Sequence, residues 1–222
     1  SRRGADELIR SGAVTVNGRT AQIGEEISDD MVVCVHGREI RPNEDTVVIA
    51  YYKPVGVTCT EKDDHAERIV TDEIKCDRRV TYAGRLDKDS EGLLIMTDDG
   101  DLIEAMMRGS NYHEKEYEVW TDKPIEDHMI EKFMSGIYLD ALDTVTRPCK
   151  VTRTGGNSFN IILTQGLNRQ IRRMCEVYGL KIVRLKRTRV MNITLQNLQV
   201  GASRELTLEE KKELYLECGL HI

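Results

Sequence analysis

No apolar run in the 222-residue chain approaches the roughly 18 residues that cross a bilayer, and no charged-then-apolar leader precedes a cleavage site. A location in the cytoplasm, with no membrane partner, is the expectation. Cys-x-x-Cys pairs are lacking, as are histidines at ligand spacing. The cysteines Cys34, Cys59, Cys76, Cys149, Cys175 and Cys218 are scattered, so reduced structural thiols and no metal are expected. Internal repeats, low-complexity segments and a glycine-rich nucleotide loop are missing too. The formal charge of −6 rules out a uniformly basic coat, although phosphate binding depends on where charge lies rather than on its sum. The chain ends Gly219-Leu220-His221-Ile222 without a basic tail, which leaves any affinity for a polyanion to the rest of the chain.

A hydrophobic content of 40% can fill a sizeable core, and the length suits one or two domains. Charge is unevenly spread. Between Gln165 and Arg189 stand Arg169, Arg172, Arg173, Lys181, Arg184, Lys186, Arg187 and Arg189 against Glu176 alone. The acids gather instead around Glu61 to Glu73, Glu126 to Glu131 and Glu205 to Glu217.

The chain is organised around Tyr82 to Gly100. Leu93 to Thr97 is an apolar run that reads as a buried strand, ending at Asp98-Asp99-Gly100, residues suited to a tight turn with positive φ. Before it lies a loop bracketed by Gly84 and Gly92 that carries Arg85, Asp87, Lys88 and Asp89. A loop fixed by a buried strand can aim a carboxylate at a cleft, and Asp87 is the candidate. Charged loops before strands also occur in hairpins with no catalytic role.

Residues 1–45 read as a small module. Arg3 to Ser11 has a helical pattern with Ala5, Leu8 and Ile9 on one side. Ala13 to Arg19 alternates as a strand into the Asn17-Gly18 turn, and short strands follow at Met31 to Val35 and Glu39 to Ile40 around His36-Gly37. Asn43 to Thr46 reads as a linker. A second domain, 46–222, opens with the strand Val47 to Tyr52 and the turn Lys53-Pro54-Val55-Gly56. Asp101 to Met107 has helical spacing, His113 to Trp120 alternates with Tyr117 and Val119 on one face, and Ile125 to Met134 reads as a surface helix. Strands are expected near Cys149 to Thr152 and Phe159 to Leu163.

Asn168 to Gly179 is a helix with Asn168 placed as N-cap and Gly179 as stop. Ile171, Met174, Cys175 and Tyr178 form its apolar stripe, and Arg169, Arg172, Arg173 and Glu176 repeat that spacing one step round. Arginines in an opening turn oppose the helix dipole by some tenths of a kcal/mol each unless an anion sits beside them. A phosphate or carboxylate nearby is the physical implication.

Gly84-Arg85-Leu86-Asp87-x-x-Ser90-x-Gly92-Leu93-Leu94, followed by Thr97-x-Asp99-Gly100, resembles the signature of RNA pseudouridine synthases of the ribosomal small-subunit type. Lys53-Pro54-x-Gly56 resembles that family's first motif, except that Tyr52 stands where Asn or Asp is common. Lys115-x-Tyr117-x-Val119 resembles the motif whose tyrosine lines the active site, and Gln165-Gly166-Leu167-Asn168-Arg169-Gln170-Ile171-Arg172-Arg173-Met174-Cys175 resembles the third motif. The last phrase, with Arg187-Thr188-Arg189-Val190-Met191-Asn192-Ile193, looks most like the type F branch directed at large-subunit ribosomal RNA. Ser1-Arg2-Arg3-x-Ala5-Asp6-x-Leu8-Ile9 with Gly12-x-Val14-x-Val16-Asn17-Gly18 is similar to an RNA-binding domain of a small-subunit ribosomal protein and of tyrosyl-tRNA synthetases, which usually begins one helix earlier.

The resemblance implies an α+β protein: a small N-terminal RNA-binding domain, then a catalytic domain with a mixed, largely antiparallel sheet and flanking helices. It implies isomerisation of a uridine in large-subunit ribosomal RNA, with tRNA as a further target, and no cofactor; a monomer is expected. Asp87 is implied as the catalytic carboxylate, Arg172 as its ion-pair partner and Tyr117 as a ring that stacks on the base. Leu185 packs beneath the site and Gly84 supports the loop. RNA contacts are expected from Arg2, Arg3, Arg10 and Arg19, and in the second domain from Lys53, Arg85, Lys115, Arg169, Arg173 and Arg187. Two other classes stay open on the residues alone. A non-catalytic RNA-binding or ribosome-assembly protein would explain the basic patches, and a glycoside-cleaving hydrolase could pair Asp87 with Asp89.

Overall fold

The computed structural model describes residues 2–28, 30–40, 45–60 and 67–221, with Arg2 described by its backbone only. Part of the expected linker (Asn43) and the acids from Glu61 onward to residue 66 lie outside the described residues, as does the side chain of Arg2. The chain divides into two compact units, Ser1–Asp45 and Thr46–Ile222.

In the first unit, helix α1 (Arg2–Arg10) precedes strands β1 (Val14–Val16), β2 (Arg19–Thr20), β3 (Val33–Val35) and β4 (Arg38–Ile40), ordered β2-β1-β3-β4 in one antiparallel sheet. Leu8 and Ile9 pack on Val14, Val16 and Ala21, whereas Ala5 is exposed rather than part of the apolar stripe. Asn17-Gly18 and His36-Gly37 all have positive φ, the requirement of the tight hairpin turns whose twist matches the strands. The Asn17 side-chain oxygen also accepts from the Val32 amide at 2.9 Å.

The second unit begins with β5 (Val48–Lys53), β6 (Thr81–Tyr82), β7 (Glu91–Thr97) and helix α2 (Gly100–Met107). There follow β8 (Lys115–Thr121), α3 (Asp127–Ser135), the small pair β9 (Tyr138–Leu139) and β10 (Thr144–Val145), then β11 (Lys150–Arg153) and β12 (Ser158–Leu163). The chain closes with α4 (Gln170–Glu176), β13 (Ile182–Val190), β14 (Ile193–Thr194), β15 (Ser203–Glu205) and α5 (Leu208–Glu217). A nine-stranded sheet runs β11-β12-β8-β13-β7-β5-β15, with β14 on β13 and β6 on β7. Among the described residues β13 and β7 are the one parallel pair of strands in this sheet; its other pairings are antiparallel. The expected mixed, largely antiparallel α+β architecture is therefore present.

Period-two alternation sorts the core. On β5 and β7, Ala50, Tyr52, Leu93 and Ile95 join α2 and α5 in one cluster, while Ile49, Tyr51, Leu94 and Met96 enter another with Val57, Val70 and Leu86. Both strands are buried throughout, which is why they read as continuous apolar runs rather than as alternating ones. A third cluster joins Val119, Phe159, Ile161 and Leu185 of the sheet to Phe133 of α3 and Ile171, Met174 and Cys175 of α4. On the opposite face of β8 and β13, charges alternate in cross-strand pairs: Lys186 with Glu118 at 3.2 Å, Arg189 with Glu116 at 3.0 Å, and Arg184 with Glu91 of β7 at 2.6 Å.

Asp98-Asp99-Gly100 does not make the expected positive-φ turn. Asp99 instead caps α2, its carboxylate accepting from the amides of Asp101 and Leu102, so the same Asp-rich signal ends a strand and starts a helix at once.

Gly92 is the tightest point of the sheet. It sits at φ +116°, and a Cβ there would lie 2.2 Å from the Arg187 carbonyl oxygen and 2.5 Å from its amide nitrogen. No side chain fits between β7 and β13 at this register. Gly92→Ala should therefore destabilise the second unit by about 3 kcal/mol or more. Urea unfolding followed by tryptophan fluorescence checks it, Trp120 being on neighbouring β8.

Candidate active site

The loop from Gly84 to Ser90 leaves β6 and returns into β7 at Gly92. It is pinned from several sides. The Gly56 amide donates to the Lys88 carbonyl at 2.8 Å, tying it to the Lys53–Gly56 turn, and the Ser90 amide closes back on the Asp87 carbonyl at 3.1 Å. Arg187 Nε donates to the Leu93 carbonyl at 2.7 Å and Nη1 to the Arg85 carbonyl at 3.3 Å. Gly84, at φ +90° with Met107 Sδ 3.2 Å from where a Cβ would sit, allows the bend.

Beside the loop lies a cavity of about 360 Å³, the size of a small-ligand pocket. Asp87, Tyr117, Arg172 and Leu185, four residues distant in sequence, all line it. Tyr117 of β8 lies directly across from Arg187 of β13, and Val119 across from Leu185; the register explains how one face of two strands supplies a ring, an aliphatic floor and a guanidinium.

The electrostatics differ from the expected pair. Arg172 does not pair with Asp87: its Nη2 lies 3.3 Å from the Asp89 carboxylate and donates to the Asp89 carbonyl at 2.9 Å and to Ser90 Oγ at 3.1 Å. Asp87 is held instead by Arg169, whose Nη1 reaches it at 3.4 Å. Arg169 also donates to both oxygens of Asp89, at 3.3 and 3.1 Å. Asp89 is thus the hub of the cluster. Partial burial works against its charge, but the Arg169 hydrogen bond and the charges of Arg172 and Arg169 outweigh that and hold its carboxyl below the ordinary 3.8. A carboxyl so held is ionised at neutral pH and is unsuited to act as a general acid. The anion expected beside the arginines of α4 is present, supplied by the protein itself.

Local backbone explains the geometry. Asn168 is not the N-cap of α4: Arg169 occupies that position in the left-handed region at φ 52°, with no side-chain cap. That conformation is uncommon for a non-glycine residue; here the guanidinium spans two carboxylates. Asn168 instead accepts from Arg173, Nε to its carbonyl at 3.0 Å and Nη2 to its side-chain oxygen at 3.2 Å. Gly179, at φ 66°, ends the helix as expected, its amide donating to the Glu176 carbonyl.

Two expected phosphate contacts are corrected. Lys53 is fully buried; its ammonium donates to the carbonyls of Pro54 at 2.8 Å and Val57 at 2.9 Å, and burial pushes it down to about 8. It braces the turn that grips the Asp87 loop. Arg187 is 2% exposed and cannot meet a strand at the surface. Arg85 is exposed and Arg173 half-buried, while Lys115 lines the cavity wall. In the first unit Arg3 and Arg10 are exposed, and Arg19 is paired with Glu25. Asp89 as hub was signalled only by its place two residues beyond Asp87.

A β7–β13 core, a carboxylate loop in front of it and a basic helix facing that loop make up the site, and comparison with known proteins gives its class. Residues 47–177 match the model of the RNA pseudouridylate synthase family. The chain belongs to this family. It is 46% identical over 217 residues to the "Dual-specificity RNA pseudouridine synthase RluF" of Salmonella typhi, covering 97% of this chain and 74% of the relative. It is 36% identical over 222 residues to "Ribosomal large subunit pseudouridine synthase B" of Vibrio vulnificus strain CMCP6, covering 95% and 69%. A crystal structure of a pseudouridylate synthase superposes with a TM-score of 0.72 at 26% identity, covering 96% of this chain and 94% of the other. A catalytic role, rather than RNA binding alone, is what these relatives support.

Asp89→Asn removes the charge that orients both arginines. Pseudouridine formation at saturating RNA should fall about tenfold, since the aligned charge-assisted bonds are replaced by neutral ones. The folded-state pKa of Asp89 is depressed, so its stabilisation is complete above its ordinary pKa and is lost as pH falls below it. Urea unfolding of the variant and the parent should therefore differ at pH 7, and the difference should shrink as pH falls below 3.8.

Proposed function

We propose that the protein isomerises a specific uridine of large-subunit ribosomal RNA to pseudouridine, with a tRNA uridine as a second substrate, using Asp87 as the catalytic carboxylate. The observation that carries this reading is the convergence of Asp87, Tyr117, Arg172 and Leu185 on one cavity from four stretches distant in sequence. The named substrates of the relatives, ribosomal large-subunit RNA above all, support the choice of RNA.

A uridine inside a helix is first turned out of the stack, at a cost of a few kcal/mol, and its base enters the cavity. Tyr117 stacks on it, and Leu185 closes the floor. Exposed Arg85 and half-buried Arg173 take flanking phosphates at the mouth. Asp87 then initiates scission of the bond between ribose C1′ and uracil N1. The uracil turns within the cavity, C5 bonds to C1′, and the C5 proton is lost to solvent while N1 gains one. Nothing is oxidised and nothing is released. Arg169 and Arg172, held by Asp89, keep the Asp87 loop in place while this happens. The first unit adds RNA contact through Arg3 and Arg10 on α1, with Arg2 beside them in sequence. The protein acts as a monomer in the cytoplasm.

The test is incubation of the protein and its Asp87→Asn variant with unmodified large-subunit RNA, without cofactor, followed by chemical mapping of pseudouridine. A single new site with the parent and none with the variant is expected, with RNA dissociation constants within about threefold of one another because the substitution removes chemistry rather than binding. Normal turnover by the variant, or no product on ribosomal RNA, folded ribosomal intermediates or tRNA, would overturn the reading.

A further inference from the structure

Arg187, buried, and Lys115, half-buried, are two cations in the same cavity wall, and neither is paired with a carboxylate among the described residues. Lys115 stands two residues before Tyr117 on β8, and Arg187 lies across from Tyr117 on β13, so all three project from one face of the sheet. Both cations line the cavity. Among the described residues neither makes an ion pair; the acceptor nearest the Lys115 ammonium is the His113 carbonyl at 3.5 Å. Two of the Arg187 nitrogens are spent on backbone carbonyls, while Nη2 is enclosed and has no hydrogen-bond partner among the described residues. Burying uncompensated charge costs several kcal/mol per ion. Such an arrangement persists where a negative charge arrives to complete it.

The reaction itself brings one. When the C1′–N1 bond breaks, its electron pair stays with the ring, and the detached uracil carries negative charge shared among N1, O2 and O4. A phosphate remains with the strand at the mouth, where Arg85 and Arg169 are exposed. The base is the part of the substrate that goes inside.

We propose that Lys115 and Arg187 form the anion site for the detached uracil, stabilising its developing charge and holding it while C5 turns toward C1′. This rests on the pseudouridine synthase reading and assigns to the two cations a catalytic role in place of RNA-backbone contact. Donors aimed at charge that exists only during the reaction act on rate rather than on affinity.

The pH dependence follows. Burial and the charge of Arg187 push the Lys115 ammonium down to about 8. The other charged groups lining the cavity are Asp87 and Arg85 on the loop before β7, Arg108 after α2, Arg169 and Arg172 at α4, and His113. Of these, His113 is the side chain that titrates near neutrality, and burial lowers it below its ordinary 6.5. Lys53, beneath the turn that grips the Asp87 loop, is also pushed down to about 8, so a loss of rate above that pH belongs to Lys115 where Lys115→Arg removes it and to Lys53 where it does not.

Single-turnover pseudouridine formation on an unmodified large-subunit RNA transcript, at saturating protein, tests this with the full chain and its Lys115→Gln and Lys115→Arg variants. Lys115→Gln should lower the rate about 100-fold, with the RNA dissociation constant changed less than about threefold. Lys115→Arg, protonated throughout, should stay within about tenfold of the parent at pH 7 and lose the alkaline limb. A parent-like rate for Lys115→Gln, a loss confined to affinity, or a limb that persists in Lys115→Arg would overturn the proposal while leaving the parent's activity, and so the proposed function, intact. Should Lys115→Gln fail to fold, the limb in Lys115→Arg decides alone; a rate for that variant below the stated range counts against the proposal. No product with the parent would instead count against the proposed function.

Discussion

Everything at the active site depends on how closely β13 approaches β7. The parallel pairing of Arg187 with Gly92 brings a backbone carbonyl to within 2.2 Å of where a side chain would begin. That contact lets the Arg187 guanidinium reach the carbonyls of Leu93 and Arg85, one near the start of the strand and one in the loop that carries Asp87. Strand pairing and loop position are thus one event. The loop that carries Asp87 has no regular structure of its own, and its placement is inherited from a core that is dry on both sides.

A second layer of constraint comes from the opposite direction. The Lys53–Gly56 turn holds the loop through the Lys88 carbonyl, and the buried Lys53 ammonium holds the turn. On the far side Asp89 gathers Arg169 and Arg172, so the helix that follows β12 is fastened to the loop before β7. Three segments that are remote in sequence become a single frame because each contributes one charged or polar group to the next. A loop so enclosed loses little order on meeting its substrate, which is where a catalytic carboxylate gains precision.

Much of this was legible in the residues. The buried strand before Thr97, the alternation around Tyr117 and the Asn17-Gly18 and His36-Gly37 turns followed from periodicity and turn chemistry, and Asp87 from its glycine-bracketed loop and the family signature. Partnership was not legible. Arg172 and Asp87 each carry the right charge, yet the register of β13 on β7 and the left-handed Arg169 decide that Asp89 stands between them. Lys53 and Arg187 look like surface cations because burial of a charge leaves no mark on composition. Strand β15 and helix α5 lie within an acid-rich stretch that hides them, although Thr207 and Glu210 form a capping box whose spacing is visible in the chain. Asp99 shows the converse ambiguity, since aspartate before glycine serves a turn and a helix cap equally well.

The alternating ion pairs on the outer face of β8 and β13 have a consequence for how an acidic protein handles a polyanion. Lys186, Arg189 and Arg184 each meet a glutamate, so that surface carries basic residues but almost no net field. Lys115 and Arg187, by contrast, make no ion pair among the described residues and line the cavity. Non-specific attraction to a polyanion grows with each phosphate neutralised, and on the outer face the cations are already neutralised by glutamates. That face is thus shaped by charge cancellation rather than by charge excess.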